Sequence, residues 1–166
     1  IYARQLANLR HGHALWEPDV NDPNCGVAVG DVGFLRQDVF VRLLNALLPA
    51  DDPSHEAHGV PGDFRPLAIP SEKMLSNFRR NQIIMPESGL KLSFSEEEGA
   101  TLILLNRAQR TDTFKLGSFR EHMLHNCRDS LRFANEQCGF EITLTDVFFV
   151  TGYDKTTHWA VTAFSS

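Results

Sequence analysis

The sequence is short of cysteine, of long apolar runs and of clustered positive charge, and each shortage excludes something. Its three cysteines, Cys25, Cys127 and Cys138, cannot all pair within one chain. Cys127 and Cys138 fall on one expected helix with about 16 Å of rise between them, too far apart for a disulfide. A disulfide-stapled secreted scaffold is therefore excluded, and a reduced, cytoplasmic protein is expected. The longest apolar stretches, Leu102 to Leu105 and Val147 to Val150, fall far short of the roughly 20 residues of a membrane-spanning helix. Lys and Arg number 16 against 21 Asp and Glu, for a formal net charge of -5, and they are scattered along the chain. That leaves no footprint for a phosphate backbone, so nucleic acid is not an expected partner. H-E-x-x-H, paired C-x-x-C, G-x-S-x-G and a glycine-rich dinucleotide fingerprint are all missing, as are internal repeats and low-complexity segments. No charged-then-apolar signal segment opens the chain, which begins with Ile1 instead of Met, so a fragment of a longer protein is expected.

What is present suits one globular domain over 1–166: 166 residues, 42% of them hydrophobic. Tyr2, Leu6 and Leu9 have helical spacing, and "ALWEPDVNDPNCG" is loop chemistry with Trp16 as its anchor to the core. "VAVGDVGFL" reads as a strand with a bulge or a close neighbour at its glycines. Val39 to Leu48 is ambiguous in period; a strand pairing back through the "RQD" turn is favoured over a helix. Five prolines from Pro49 to Pro70 mark a long loop. A short helix is expected from Ser71, with Met74, Leu75 and Phe78 on one face, then a hairpin of "LKLSFS" and "ATLILL". The clearest helix is Phe119 to Cys138, with Ser118 and Glu121 as a capping box, an apolar stripe of Leu124, Cys127, Leu131, Ala134 and Cys138, and Gly139 as its end. Phe140, Ile142 and Leu144 alternate, Val147 to Val150 is a strand, "TGYDKT" a turn, and Trp159 to Phe164 a final strand. The expected class is α+β: a mainly antiparallel sheet, one long helix in the C-terminal half and one or two short helices.

Few residues carry recognisable chemistry. Asp154-Lys155-Thr156-Thr157 begins like the phosphorylation loop of ion-pumping ATPases, but Thr157 stands where a glycine is needed and no further acidic loop follows to hold magnesium. It is read as a polar turn. His55 and His58 share the long loop with Asp51, Asp52 and Glu56, a set that could supply zinc ligands; with neither H-E-x-x-H nor paired C-x-x-C in the chain, and histidines of a polar loop ordinarily solvated, no metal or other cofactor is assigned. His122 and His125 sit off the helix's apolar stripe and are set aside. Trp16, Asp51, Asp52, His55, His58 and Phe64 are the candidate binding residues, all in or near the proline-rich loop.

Several segments together, "GHALWEPDVN", "VAVGDVGFL", "LLPADDP", "HGVPGDFRPL", "GATLILL" and "VTGYDKTTHWAVTAFS", resemble in the same order a large group of uncharacterised proteins from mushroom-forming (basidiomycete) fungi. The resemblance covers nearly the whole chain, departs at His13-Ala14, and implies a fungal, intracellular, multi-part protein without supplying an activity. A strand-ending V-T-G followed by a hairpin is also similar to the sheet of pore-forming and cell-death proteins. The expected function is accordingly a non-catalytic interaction domain, the N-terminal part of a defence or membrane-acting protein, with a protein partner or a second copy as its ligand. Membrane contact would come only through sequence beyond this chain. The alternative is a hydrolase or transferase using the loop histidines and carboxylates, with or without a metal.

Overall fold

A computed structural model describes residues 13, 26–37, 39–69, 74–79, 98–104, 108–113, 116–155 and 159–165. The strands are β1 (Asp31–Arg36), β2 (Val39–Asn45), β3 (Met74–Arg79), β4 (Glu98–Leu104), β5 (Ala108–Thr113), β6 (Val147–Phe149), β7 (Gly152–Lys155) and β8 (Trp159–Ser165). One long helix, α1 (Leu116–Arg132), runs on into a wider π-helical turn at Phe133–Gln137. The α+β class is as expected. Among the described residues three sheets are formed, in the orders β2-β1-β6, β3-β5-β7 and β4-β8.

The described residues group into two compact units, one within Ile1–Trp16, Ser76–Arg110 and Asp154–Ser166, the other within Glu17–Leu75 and Thr111–Tyr153. In the first, β4 and β8 pair antiparallel from Glu98 opposite Ser165 to Leu104 opposite Trp159. The second holds the candidate loop. Its β1 and β2 form the expected hairpin, with Arg36 opposite Val39 and Gln37, just after β1, at a positive φ of 53°. The register shifts between Val32 and Gly33, so the bulge expected at the glycines is present. Gly33 is required there, because a Cβ would stand 2.2 Å from the Val41 carbonyl oxygen. The bulge lets neighbouring Leu43 and Leu44 both be buried, in separate clusters: Leu44 with Val32, Ala46 and Val147, and Leu43 with Phe34 and Ala134. β6 adds antiparallel to the other edge of β1.

Other expectations are corrected. Met74 to Phe78 is strand, not helix: so short a segment gains little from helical hydrogen bonds, and sheet pairing overrides its apolar spacing. "GYDK" is β7, not a turn. Gly152 allows a close approach there, since a Cβ would lie 2.1 Å from an Asp112 carboxylate oxygen. The alternating Phe140, Ile142 and Leu144 lead into a 3-10 turn at Leu144–Asp146, ahead of β6. β5 had no counterpart in the sequence reading.

The helix exists but is rotated from expectation. It starts at Leu116, which puts Ser118 inside its first turn and not at the cap. Phe119, Ser130, Phe133 and Ala134 are buried while Leu124 is 68% exposed. The π-turn adds a residue to the last winding, which brings adjacent Phe133 and Ala134 both inward. Gly139, at φ +72°, ends the helix as expected, and the Phe140 N–H closes back on the Ala134 carbonyl at 2.9 Å. The N-terminal helix of Tyr2 to Leu9 and the "LKLSFS" strand lie outside the described residues.

Candidate functional site

The loop after β2 is ordered from within. Asp52, in extended conformation, accepts the Ser54 N–H at 2.9 Å, Pro53 follows it, and together they start a single 3-10 turn, Pro53–His55. That turn swings His55 inward, to 2% exposure. Its Nε2 accepts the Asn45 backbone N–H at 2.9 Å and lies 3.2 Å from the Asn45 carbonyl oxygen. Nδ1 is buried and makes no hydrogen bond among the described residues. Phe64 stands edge-on to the ring, with centroids 5.7 Å apart, and the Leu67 N–H returns the loop to the Ala46 carbonyl at 2.6 Å.

Asn45 ties the loop to a second buried group. Its side-chain amide donates to the Val29 carbonyl at 3.1 Å and to Asp31 Oδ1 at 2.8 Å, and its Oδ1 accepts the Leu47 N–H at 2.8 Å. Asp31 is fully buried. Its Oδ2 accepts the Ala28 N–H at 2.7 Å, and Arg42 Nε lies 3.0 Å from Oδ1, an ion pair without hydrogen-bond alignment. The Arg42 guanidinium also donates to the Gly26 carbonyl. Burial pushes the Asp31 carboxyl above its ordinary range, against the Ala28 N–H, Arg42 and Asn45, which pull it down. The network therefore satisfies most of these buried polar groups, all but Arg42 Nε and His55 Nδ1, and joins both strands of the hairpin, at their Asp31–Asn45 end, to the loop.

The candidate residues are thus divided. Asp52, His55 and Phe64 are committed to holding the loop, and Asp51 and His58 are exposed. The His58 ring faces Phe140 edge-on, at 5.5 Å between centroids, while the His55 ring faces Asn45 and Phe64. Among the described residues no group of three or more His, Cys, Asp or Glu comes together in a way that would hold a metal. Trp16, like Cys25, lies outside the described residues. Asp154 is exposed at the end of β7 with Arg110 Nε 4.0 Å away, a loose ion pair; Thr156 and Thr157 lie outside the described residues.

A shallow cleft opens between the loop and α1, walled by Pro61, Phe64 and Met123 and rimmed by Asp63, His122 and Asp129. About 20 Å³ of it is open to the centre of a water molecule, room for little more than one water. His122 was set aside in the sequence because it lies off the apolar stripe; the rotated helix puts it on this rim, its ring 5.7 Å from Phe149. Burial first, and the charge of His125 second, lower its pKa below the ordinary 6.5. The signal available in the sequence was the step of four and three residues joining His122, Asn126 and Asp129 on one helix face.

No protein-family model, curated protein or solved structure matches the chain. Among the described residues, no helix is long and apolar enough to cross a membrane.

Proposed function

We propose that this chain is a non-catalytic interaction domain whose contact surface is the outer side of the loop at 49–69. The observation that carries the reading is the commitment of His55: the loop residue best suited to chemistry is buried and accepts a backbone N–H. Held from within, the loop presents Asp51, Glu56, His58, Asp63 and Arg65 to solvent on a fixed backbone. A preordered, polar surface loses little entropy on meeting a partner. The small cleft beside it favours a macromolecular surface over a small ligand, since small-molecule sites enclose roughly 300 Å³ or more. The resemblance to fungal proteins supports an intracellular setting and a role as the N-terminal part of a defence or membrane-acting protein, with a protein partner or a second copy bound.

The test reverses two exposed charges on the loop, Asp63→Arg together with Arg65→Glu. Sedimentation of the purified chain and cross-linked capture from fungal extract are then compared with wild type. A complex that the double variant loses while its melting temperature holds supports the reading. A chain that forms no complex, yet turns over an ester or phosphate substrate in a manner abolished by His58→Ala, contradicts it.

A further inference from the structure

The His55 ring closes the loop in one protonation state only. Its Nε2 accepts the Asn45 N–H at 2.9 Å, which requires a lone pair on that nitrogen and places the ring proton on Nδ1. Among the described residues, this contact is what ties the turn Pro53–His55 to β2 by a hydrogen bond. Nδ1 and the Ser54 Oγ of the same turn are both buried without a hydrogen-bond partner among the described residues, so the closed position already holds two unmet polar atoms. A second ring proton, on Nε2, would set N–H against N–H. The Asn45 carbonyl oxygen, 3.2 Å away, could accept that proton, but the Asn45 N–H would then be stranded and the ring would carry a charge at 2% exposure.

The charges around the ring do little to hold an imidazolium. Asp52 attracts it but reaches solvent and already accepts the Ser54 N–H. On the side of β1 and β2, Asp31 and Arg42 lie behind Asn45 and pair with each other. Glu56 and His58, along the loop, are exposed; His122, from α1, lines the cleft with Phe64, with Asp63 and Asp129 on its rim.

Asp31 works in the opposite direction. Burial holds its carboxyl above the ordinary 3.8, against the Ala28 N–H, Arg42 and Asn45. The folded hairpin thus binds that proton more readily than the unfolded chain, so the contribution of Asp31 is fully present below about 3.8 and is lost as pH rises through the folded value. Acid acts against the turn and not, through Asp31, against the hairpin. The second half of the loop is held by Val60 and Phe64 on the apolar cluster and by the Leu67 N–H on the Ala46 carbonyl, none of which titrates.

We propose that the contact of His55 with Asn45 is an acid-operated latch: uptake of a proton by His55 releases residues 53–59 from β2 while the hairpin and the second half of the loop stay in place. Histidine is the side chain whose ordinary titration falls between about pH 5 and pH 8, so closure is lost as pH falls through that range and returns as it rises. Release takes the fixed backbone from under Glu56 and His58, and partner binding by the loop is then lost on mild acidification. That consequence rests on the reading of the loop as a contact surface; the release itself does not.

The test is amide hydrogen exchange of the whole chain, read by NMR at about pH 7.5 and about pH 5.5 and corrected for the intrinsic pH dependence of exchange. Protection of the Asn45 N–H and of the Gly59 N–H, which closes on the His55 carbonyl, should drop by roughly tenfold or more. The Ala46 and Val150 N–H groups, bonded to Gly30 and Asp31 in the hairpin sheet, should hold. His55→Gln, which offers an acceptor but takes no proton, should keep its protection at both pH values, and His122→Gln should respond as wild type does. Long-range nitrogen spectra at about pH 7.5 should show His55 protonated on Nδ1 and bare on Nε2. A proton on Nε2 there, protection of Asn45 that ignores pH, a loss shared by Ala46 and Val150, or a response removed by His122→Gln overturns the latch. Should His55→Gln fail to fold, the tautomer and the exchange pattern of the wild type decide alone. A latch that fails while capture still depends on Asp63 and Arg65 leaves the interaction-domain reading standing; a latch that opens in a chain that captures nothing leaves that reading fallen and the latch intact.

Discussion

The Nε2 atom of His55 sits 2.9 Å from the backbone nitrogen of Asn45, inside the unit and away from solvent. That contact decides how the proline-rich loop is understood, because it turns the most chemically suggestive side chain of the loop into a fastener. His55→Ala strands a buried N–H and removes the ring beneath Phe64, and should cost about 2–4 kcal/mol in urea unfolding. His55→Gln, which can offer an acceptor, should recover part of this. His58→Ala, at an exposed position, should cost less than about 1 kcal/mol.

The bulge makes a sharper demand. Gly33→Ala would drive a Cβ to 2.2 Å from the Val41 carbonyl oxygen and 2.7 Å from the tip of the Phe40 ring; the ring can swing aside, but the carbonyl cannot yield without moving the hairpin. Loss of several kcal/mol, or of soluble expression, is expected. A Cβ at Gly62 meets nothing within 4 Å, so Gly62→Ala should stay within about 1 kcal/mol of wild type.

The rotation of α1 predicts an inverted ranking of its apolar side chains. Phe119→Ala, at a position 1% exposed and tilted onto Phe149 at 4.8 Å between centroids, should cost about 3–5 kcal/mol. Leu124→Ala should cost under about 1 kcal/mol in the free protein. Thermal or urea unfolding of the two variants reads this directly, and equal losses would restore the face inferred from the sequence.

His122 and Asp146 each contribute to the pH dependence of stability, in separate windows. His122 has a folded pKa below its unfolded value, so the unfolded chain takes up the proton first. Its contribution is therefore fully present above about 6.5 and is lost as pH falls through the folded value. Asp146 behaves likewise at lower pH: the Thr143 backbone N–H at 2.8 Å, then its hydroxyl at 2.7 Å, hold its carboxyl below the ordinary 3.8. Melting temperatures of His122→Gln should fall less than wild type between pH 7 and about pH 5, and those of Asp146→Asn less than wild type below about pH 4.

Much of the hairpin was legible because glycines, β-branched residues and turn residues act locally: β1, β2 and β6 stand where their composition put them, and Gly139 stops the helix. β3, β5 and β7 were not legible, since their strand state comes from one another and not from a periodic pattern. The helix face was misjudged for a related reason. Leu124 and Cys127 make a better apolar stripe on paper than Phe119 and Ser130, yet the π-turn and the position of the hairpin select the latter. At the site, Asp52-Pro53 before Ser54 was a readable cap, but the burial of His55 was not. Its partner, Asn45, lies ten residues back across a turn that no propensity encodes.

The measurement that tests the account most directly is the melting temperature of the whole chain during titration with zinc and then with EDTA, read beside His55→Ala. A loop whose histidine is already bonded to Asn45 predicts no rise with zinc and no fall on chelation, with the His55→Ala curve displaced downward by the same amount throughout. A wild-type melting temperature that climbs with stoichiometric zinc, falls on chelation and loses both responses in His55→Ala would contradict it, and would make the loop a metal site.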